Sequence, residues 1–253
     1  MGGAGFEDHF DRNAERYERA RPPYPPALWR ALRELGALTP GARALDIGAG
    51  TGQATAPLVE AGLAVTAVEP GPALAARLAT RVPGATVVNA RAEDIALDAG
   101  AFDLVTAATA VHWFDLEVLL PRLHAALVPG GLLVVWRNVY GDPEAEVTPF
   151  RRGIQAIVDR RQAPPRPGPG ELEVDRWRER LTAGGLFLAE RTVNLRWSID
   201  LDSARVRDLF TTFSDWTPEE ADEAAAVADR LGGTVTEHYA TWLIALRRAE
   251  LAD

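Results

Sequence analysis

Ala44-Leu45-Asp46-Ile47-Gly48-Ala49-Gly50-Thr51-Gly52-Gln53 is an apolar run closed by three glycines spaced two apart. A short apolar run that stops at glycine reads as a buried strand, so residues 42–47 are predicted to be a parallel strand and 48–52 a sharp turn at its carboxyl end, with a helix from Gln53. In doubly wound sheets a nucleotide-like ligand sits in the crevice at that end of the strands. Glycine serves there because it adopts positive φ and leaves no Cβ between backbone and ligand.

The residues around the glycines choose the ligand. A dinucleotide loop needs Gly-x-Gly-x-x-Gly, with the pyrophosphate on the helix N-terminus. Counted from Gly48 the third glycine falls on Gln53, and counted from Gly50 it falls on Thr55, so neither register fits. Asp46, directly ahead of the loop, opposes a pyrophosphate but attracts a ligand that carries an ammonium and a sulfonium. S-adenosylmethionine is such a ligand. Asp46, Gly48, Ala49, Gly50, Gly52 and Gln53 are therefore the first candidate cofactor contacts.

The following segments extend that site. Residues 64–68 form an apolar second strand that ends at Glu69, 17 residues after Gly52, where an acid hydrogen-bonds the hydroxyls of a ribose; Pro70 follows it. After a third strand at 86–89, the turn Ala92-Glu93-Asp94-Ile95 offers a backbone donor from Ala92 and an acidic acceptor, Glu93 or Asp94, to an adenine. A fourth strand at 102–108 puts the Ala107 carbonyl within reach of the ammonium group. Val111-His112-Trp113-Phe114-Asp115 follows at its tip, with His112 a candidate base or substrate contact and Trp113 a substrate contact.

Composition narrows the function. The chain has 253 residues, 47% apolar and 25% charged, which suits a single globular domain over 1–253 with insertions. There is no cysteine, which excludes disulfides, thiol nucleophiles and thiolate metal sites, and all 27 basic residues are arginine, which excludes Schiff-base lysines. The four histidines are scattered without metal-ligand spacing, so no metal is expected. A net charge of −9 argues against a nucleic-acid partner. The amino terminus lacks a secretory apolar core, and no apolar run approaches a membrane span, so a cytoplasmic protein without a membrane partner is expected.

The remaining segments lie outside the residues 41–137 that form the cofactor core. Residues 1–38 read as two short helices joined by Arg21-Pro22-Pro23-Tyr24-Pro25-Pro26, a helical lid whose Tyr17, Arg21 and Tyr24 either touch substrate or dock the segment on the core. Arg137 stands at the tip of a fifth strand, 132–136, as a further substrate candidate. Residues 139–184, with helices at 148–161 and 171–183, and residues 202–232 are insertions or helices expected near substrate. The closing strands are placed at 186–197 and 234–248. Phe210, Phe213 and Trp216 at helical spacing are either core or a cap over the substrate.

Leu45-Asp46-Ile47-Gly48-Ala49-Gly50-Thr51-Gly52, Glu69 and Leu127-Val128-Pro129-Gly130-Gly131 together resemble the class I S-adenosylmethionine-dependent methyltransferases. That resemblance implies an α/β, Rossmann-like fold with a seven-stranded, mostly parallel sheet, its last strand antiparallel, and helices on both faces. Phe10 through Tyr17, Arg21-Pro22-Pro23-Tyr24-Pro25 and His112-Trp113-Phe114-Asp115 are similar to the branch containing trans-aconitate methyltransferases and related small-molecule enzymes. Many relatives carry an acid at position 91; this chain has Arg91, which moves the expected adenine-amine acceptor to Glu93.

The chemistry so implied is in-line methyl transfer to a small molecule. A carboxylate acceptor needs no base but needs cations, for which Arg19, Arg21, Arg137 and Arg151 would form a positive funnel, whereas a hydroxyl or amine would use His112. A non-catalytic cofactor-binding or scaffold protein, and a nicotinamide-dependent oxidoreductase, are the alternatives.

Overall fold

The structure, a computed structural model, describes residues 19–161, 170–213 and 215–250. Phe6, Phe10 and Tyr17, and most of the Pro/Gly-rich stretch at 164–170, lie outside the described residues. Helix α1 (Pro26–Glu34) begins with proline in its first turn, where a missing N–H costs nothing, and buries Leu28, Ala31 and Leu32. The alternating core follows: β1 (Arg43–Ile47), α2 (Thr55–Glu60), β2 (Ala64–Val68), α3 (Pro72–Arg81), β3 (Thr86–Val88), β4 (Phe102–Ala108), a 3₁₀ turn (Val111–Trp113), α4 (Leu116–Ala126) and β5 (Leu127–Tyr140). The chain closes with α5 (Pro149–Val158), α6 (Val174–Thr182), β6 (Phe187–Asp202), α7 (Ser203–Thr211), α8 (Pro218–Arg230) and β7 (Thr234–Arg248).

Among the described residues seven strands form one sheet, the number the resemblance implies, in the order β3-β2-β1-β4-β5-β7-β6. β1 to β5 pair in parallel, and β7 runs antiparallel between β5 and β6. Central strands covered on both faces need near-continuous apolar sequence, which Leu132-Leu133-Val134-Val135-Trp136 supplies. One face packs on α4 and α6 through Leu119, Leu123, Trp177 and Leu181. The other packs on α1 and α2 through Leu28, Leu32 and Leu58, joined by Trp136.

Two expectations change. The fifth strand, expected at 132–136, begins earlier with a bulge at 128–131: Leu127 faces Phe102 and Leu132 faces Leu104, so the four residues between them oppose Asp103 alone. The strand also outruns its apolar segment to Tyr140, because β7 supplies a partner for every residue from Leu132, ending at Tyr140 opposite Tyr239. The segment 139–184 is likewise not uniform: α6 is the crossover helix between β5 and β6 and belongs to the sheet core. By contrast α5, α7 and α8 share a separate apolar cluster with the far ends of β6 and β7, built on Phe150, Ile154, Leu209, Phe210, Ala224 and Tyr239. This helical cap stands over the carboxyl end of the sheet, the end at which the glycine loop lies. Among the described residues no helix is long and apolar enough to cross a membrane.

Candidate active site

A cavity of about 470 Å³ opens at that end of the sheet, and its walls come from both the glycine loop and the cap. The three glycines serve different ends. A Cβ on Gly48 would stand 2.6 Å from the Ala110 Cβ, and one on Gly52 would stand 2.4 Å from Leu78 Cδ1, so these two let the loop pack on its neighbours. Gly50, at φ 57°, would meet nothing within 4 Å, because it borders the cavity. Gly48 and Gly50 line the cavity; Gly52 does not.

Glu69 anchors the loop. From the tip of β2 its Oε2 accepts from the Gly50 N–H at 2.8 Å and its Oε1 accepts from the Gly71 N–H at 2.9 Å. Asn89 fixes the backbone beneath it by donating to the carbonyls of Glu69 and Pro70 at 2.8 and 2.9 Å. Glu69, Pro70, Ala92 and Glu93 all line the cavity, which brings the predicted ribose and adenine contacts together. Glu93 is also tied back: its Oε1 accepts from the Asp115 N–H at 3.0 Å, and Arg91 approaches it at 3.8 Å.

Several predicted contacts lie behind the wall. Asp46 is 0% exposed; Oδ2 accepts from the Thr55 hydroxyl at 2.7 Å and Oδ1 from the Thr106 hydroxyl at 2.8 Å. Its carboxylate thus ties β1 to β4 and α2, and burial pushes its pKa up to about 6 against the two hydroxyl donors. Ala49 is buried against Ala67, Leu78 and Val82, and its N–H reaches the Val68 carbonyl at 3.0 Å. Gln53 donates to the Arg21 carbonyl at 3.0 Å, joining the loop to the proline elbow. Ala107 is buried opposite Val135, and the wall begins one residue later, at Ala108.

The lid residues divide in the same way. Tyr24 is buried edge-on to Trp136 at 5.7 Å and to Trp29 at 6.3 Å, so it docks the elbow on the core. Its hydroxyl shares a 3.1 Å hydrogen bond with Thr109 Oγ1. Thr109 has φ 57°, a conformation that a β-branched residue adopts only when its surroundings hold it there. Arg21, His112, Trp113 and Arg137 reach the cavity as predicted, with the His112 and Trp113 rings 4.5 Å apart.

The expected positive funnel does not form. Arg137 pairs with Glu171 and Arg91 with Glu93, while Arg21 donates to the Thr212 carbonyl at 3.1 Å and stacks 4.6 Å from the Phe213 ring. Arg151 lines a neighbouring cavity, 3.7 Å from Glu237 and 4.5 Å from the Tyr140 ring, and Arg19 is not part of the wall.

Further lining residues carry no local sequence signal, among them Thr109, Asn138, Tyr140, Glu171 and Asp215. Tyr140 donates to Glu237 Oε2 at 2.6 Å, and burial together with the Glu237 charge raises its pKa well above the ordinary phenol value, so it stays protonated. Of the aromatic triplet, Phe210 is core while Phe213 and Trp216 reach the cavity. Among the described residues no cluster of ligating side chains would hold a metal ion.

Residues 45–135 match the family described as Methyltransferase domain. An uncharacterized methyltransferase of Mycobacterium tuberculosis is 31% identical over 225 residues, covering 88% of this chain and 84% of that protein. Among solved structures, Haemonchus contortus phosphoethanolamine N-methyltransferase 2 superposes with a TM-score of 0.57 at 19% identity, covering 98% of this chain and 61% of that one. Geranyl diphosphate C-methyltransferase from Streptomyces coelicolor superposes with a TM-score of 0.50 at 16% identity, covering 88% and 79%. At these identities the likeness to the two structures is one of fold.

Proposed function

This chain belongs to the class I S-adenosylmethionine-dependent methyltransferases, and from that premise we propose that its cavity methylates a small molecule at a carboxylate or hydroxyl oxygen. The observation that carries the reading is the single cavity whose lining brings Gly48, Gly50 and Glu69 together with His112, Arg137, Phe213 and Trp216. The similarity of the proline elbow and of His112-Trp113-Phe114-Asp115 to the trans-aconitate branch favours a carboxylate. The size of the cavity suits a cofactor with a small acceptor.

When bound, the cofactor supplies a methyl group on a sulfonium. Glu69 holds the ribose hydroxyls, since a carboxylate has enough lone pairs for two backbone donors and two hydroxyls together. Gly50 leaves room for the ligand backbone, Ala92 and Glu93 face the adenine, and Ala108 at the wall takes the carbonyl role first given to Ala107. Asp46 contributes its charge from behind the loop. The cap residues Phe213 and Trp216 would hold the acceptor in place beside the cofactor and exclude water. For a hydroxyl acceptor His112 is the base; Tyr140 is not, because it keeps its proton and donates it in a hydrogen bond to Glu237.

Two measurements test this. Calorimetry should show S-adenosylhomocysteine binding in the micromolar range, and a labelled-methyl screen over small acids, phenols and amines should give turnover with an acid or a phenol. Absence of cofactor binding, or turnover of amines alone, would overturn it.

A further inference from the structure

We infer that Glu171 sets the charge an acceptor must carry, its carboxylate holding Arg137 until the carboxylate of an acidic acceptor takes its place. The inference rests on the function proposed above. Arg137 projects from β5 and its side chain is only 9% exposed, whereas its partner Glu171 is 48% exposed, and both line the cavity. A guanidinium never loses its charge, and one buried to this degree requires an anion against it. The exposed partner can rotate into water once an incoming carboxylate takes its place against Arg137, so that the buried guanidinium is never left without an anion. The Glu171 backbone need not move with it, because its carbonyl accepts from Trp242 Nε1 at 2.7 Å, and Trp242 is the β7 residue paired with Arg137 in the sheet. Glu171 can therefore swing its carboxylate while the ladder holds its main chain.

The surroundings favour an anion as the replacement. Trp197 Nε1 can only donate, so Thr241 Oγ1 accepts from it at 2.8 Å and donates onward to Asn138 Oδ1 at 2.6 Å. That chain fixes the amide nitrogen of Asn138, the residue beside Arg137 in the wall, as its donor end. The aromatic wall would otherwise suit an ammonium, but three of its rings already carry cations: Arg21 over Phe213 at 4.6 Å, Arg151 over Tyr140 at 4.5 Å and Arg161 over Trp216 at 4.3 Å. Methyl transfer then reverses the exchange. A carboxylate oxygen bonds to the methyl carbon, the carbon–sulfur bond breaks with its electron pair going to sulfur, and the sulfonium and the carboxylate both become neutral. A neutral ester no longer competes with Glu171 for Arg137.

The test uses calorimetry on the full chain saturated with S-adenosylhomocysteine, with benzoate and fumarate as probes and benzamide, fumaramide and methyl benzoate as neutral controls. Glu171→Gln should tighten a carboxylate probe by about tenfold or more and leave the neutral controls within about twofold, the difference expected of one displaced charge pair. Arg137→Gln should abolish carboxylate binding, alone and combined with Glu171→Gln, while Arg137→Lys should keep the preference at reduced affinity. Equal tightening of the neutral controls, tightening that survives in the double variant, or no carboxylate binding by Glu171→Gln would each overturn the inference. Cofactor-product binding is measured first: its absence sinks the proposed function, whereas its presence without a carboxylate preference sinks only the role of Glu171.

Discussion

The proposed cofactor and acceptor halves of the cavity are built on different principles. The cofactor half is made of backbone: a turn of three glycines, a carboxylate on two N–H groups and a buried acid between two threonines, with most of its parts within residues 46–93. The acceptor half is made of side chains drawn from across the chain, with Arg21, Arg137, Glu171 and Trp216 brought together by the β5–β7 ladder and the helical cap. Backbone sites depend on local conformation and so leave a dense local pattern. Side-chain sites depend on who becomes whose neighbour, which no short stretch records.

The comparison is broken most forcefully at the glycines. At Gly48 and Gly52 an added Cβ meets both a positive φ and a close neighbour, Ala110 at 2.6 Å or Leu78 at 2.4 Å. Left-handed strain and overpacking together should cost about 2–5 kcal/mol for Gly48→Ala or Gly52→Ala, read in denaturant unfolding. Gly50→Ala has only the backbone cost, about 1–2 kcal/mol. If all three variants lose equal stability, the division between packing glycines and a cavity glycine is wrong.

Asp46 tests whether an acid behind the wall belongs to the site. In the unfolded chain it titrates near 3.8, and in the folded protein near 6. Its pKa is raised by folding, so its contribution is most favourable below pH 3.8, declines as pH rises toward 6 and is fully lost above that. The gap corresponds to about 3 kcal/mol. Asp46→Asn removes that decline, since the amide can accept from one threonine and donate to the other, whose hydroxyl rotates to suit. Melting temperatures from pH 4.5 to 8 should therefore favour Asp46→Asn increasingly up to about pH 6 and by a constant margin above it. S-adenosylhomocysteine affinity should weaken by less than about threefold, as expected of a charge that acts without contact. A large loss of affinity at unchanged stability would make Asp46 a direct ligand.

Glu69→Ala should weaken S-adenosylhomocysteine by about 1.5–3 kcal/mol, because a charge-assisted ribose contact is lost and the N–H groups of Gly50 and Gly71 lose their acceptor. Unchanged affinity in calorimetry would remove the ribose role.

The same contrast explains what could be read from the chain. The core strands, among them the one that ends at Glu69, and the glycine loop follow from apolar runs and glycine spacing and stand in the structure, whereas the order of the strands in the sheet is recorded in no single run. Asp46, Ala49 and Ala107 lie one layer behind the wall, which the sequence does not reveal because position along a strand does not say which face the neighbours leave open. Tyr24 docks on Trp136, 112 residues away, and Glu171 reaches Arg137 only through the ladder that seats Trp242 beside it. Phe210 and Phe213 are three residues apart on the same segment, yet one is core and one is wall, a distinction made by α8 packing over the first.

The mildest effect is expected where the acceptor half is braced from outside. Arg161 does not line the cavity; it stacks 4.3 Å over Trp216, donates to both Glu220 oxygens at 2.9 Å and pairs with Asp215 at 3.2 Å. Glu220 in turn closes the capping box with Thr217 that starts α8. The guanidinium thus fixes the angle at which Trp216 meets the cavity, and methionine keeps an unbranched stem while removing the charge and the fork of donors. Arg161→Met should raise the KM of whichever acceptor the methyl-transfer screen finds by about fivefold, roughly 1 kcal/mol, with S-adenosylhomocysteine affinity within about twofold. Arg161→Lys, which keeps charge but not the bidentate fork, should fall between the two. If cofactor affinity moved as far as acceptor KM, the cap would serve both halves, and the separation of a backbone-built cofactor site from a side-chain-built acceptor site would not hold.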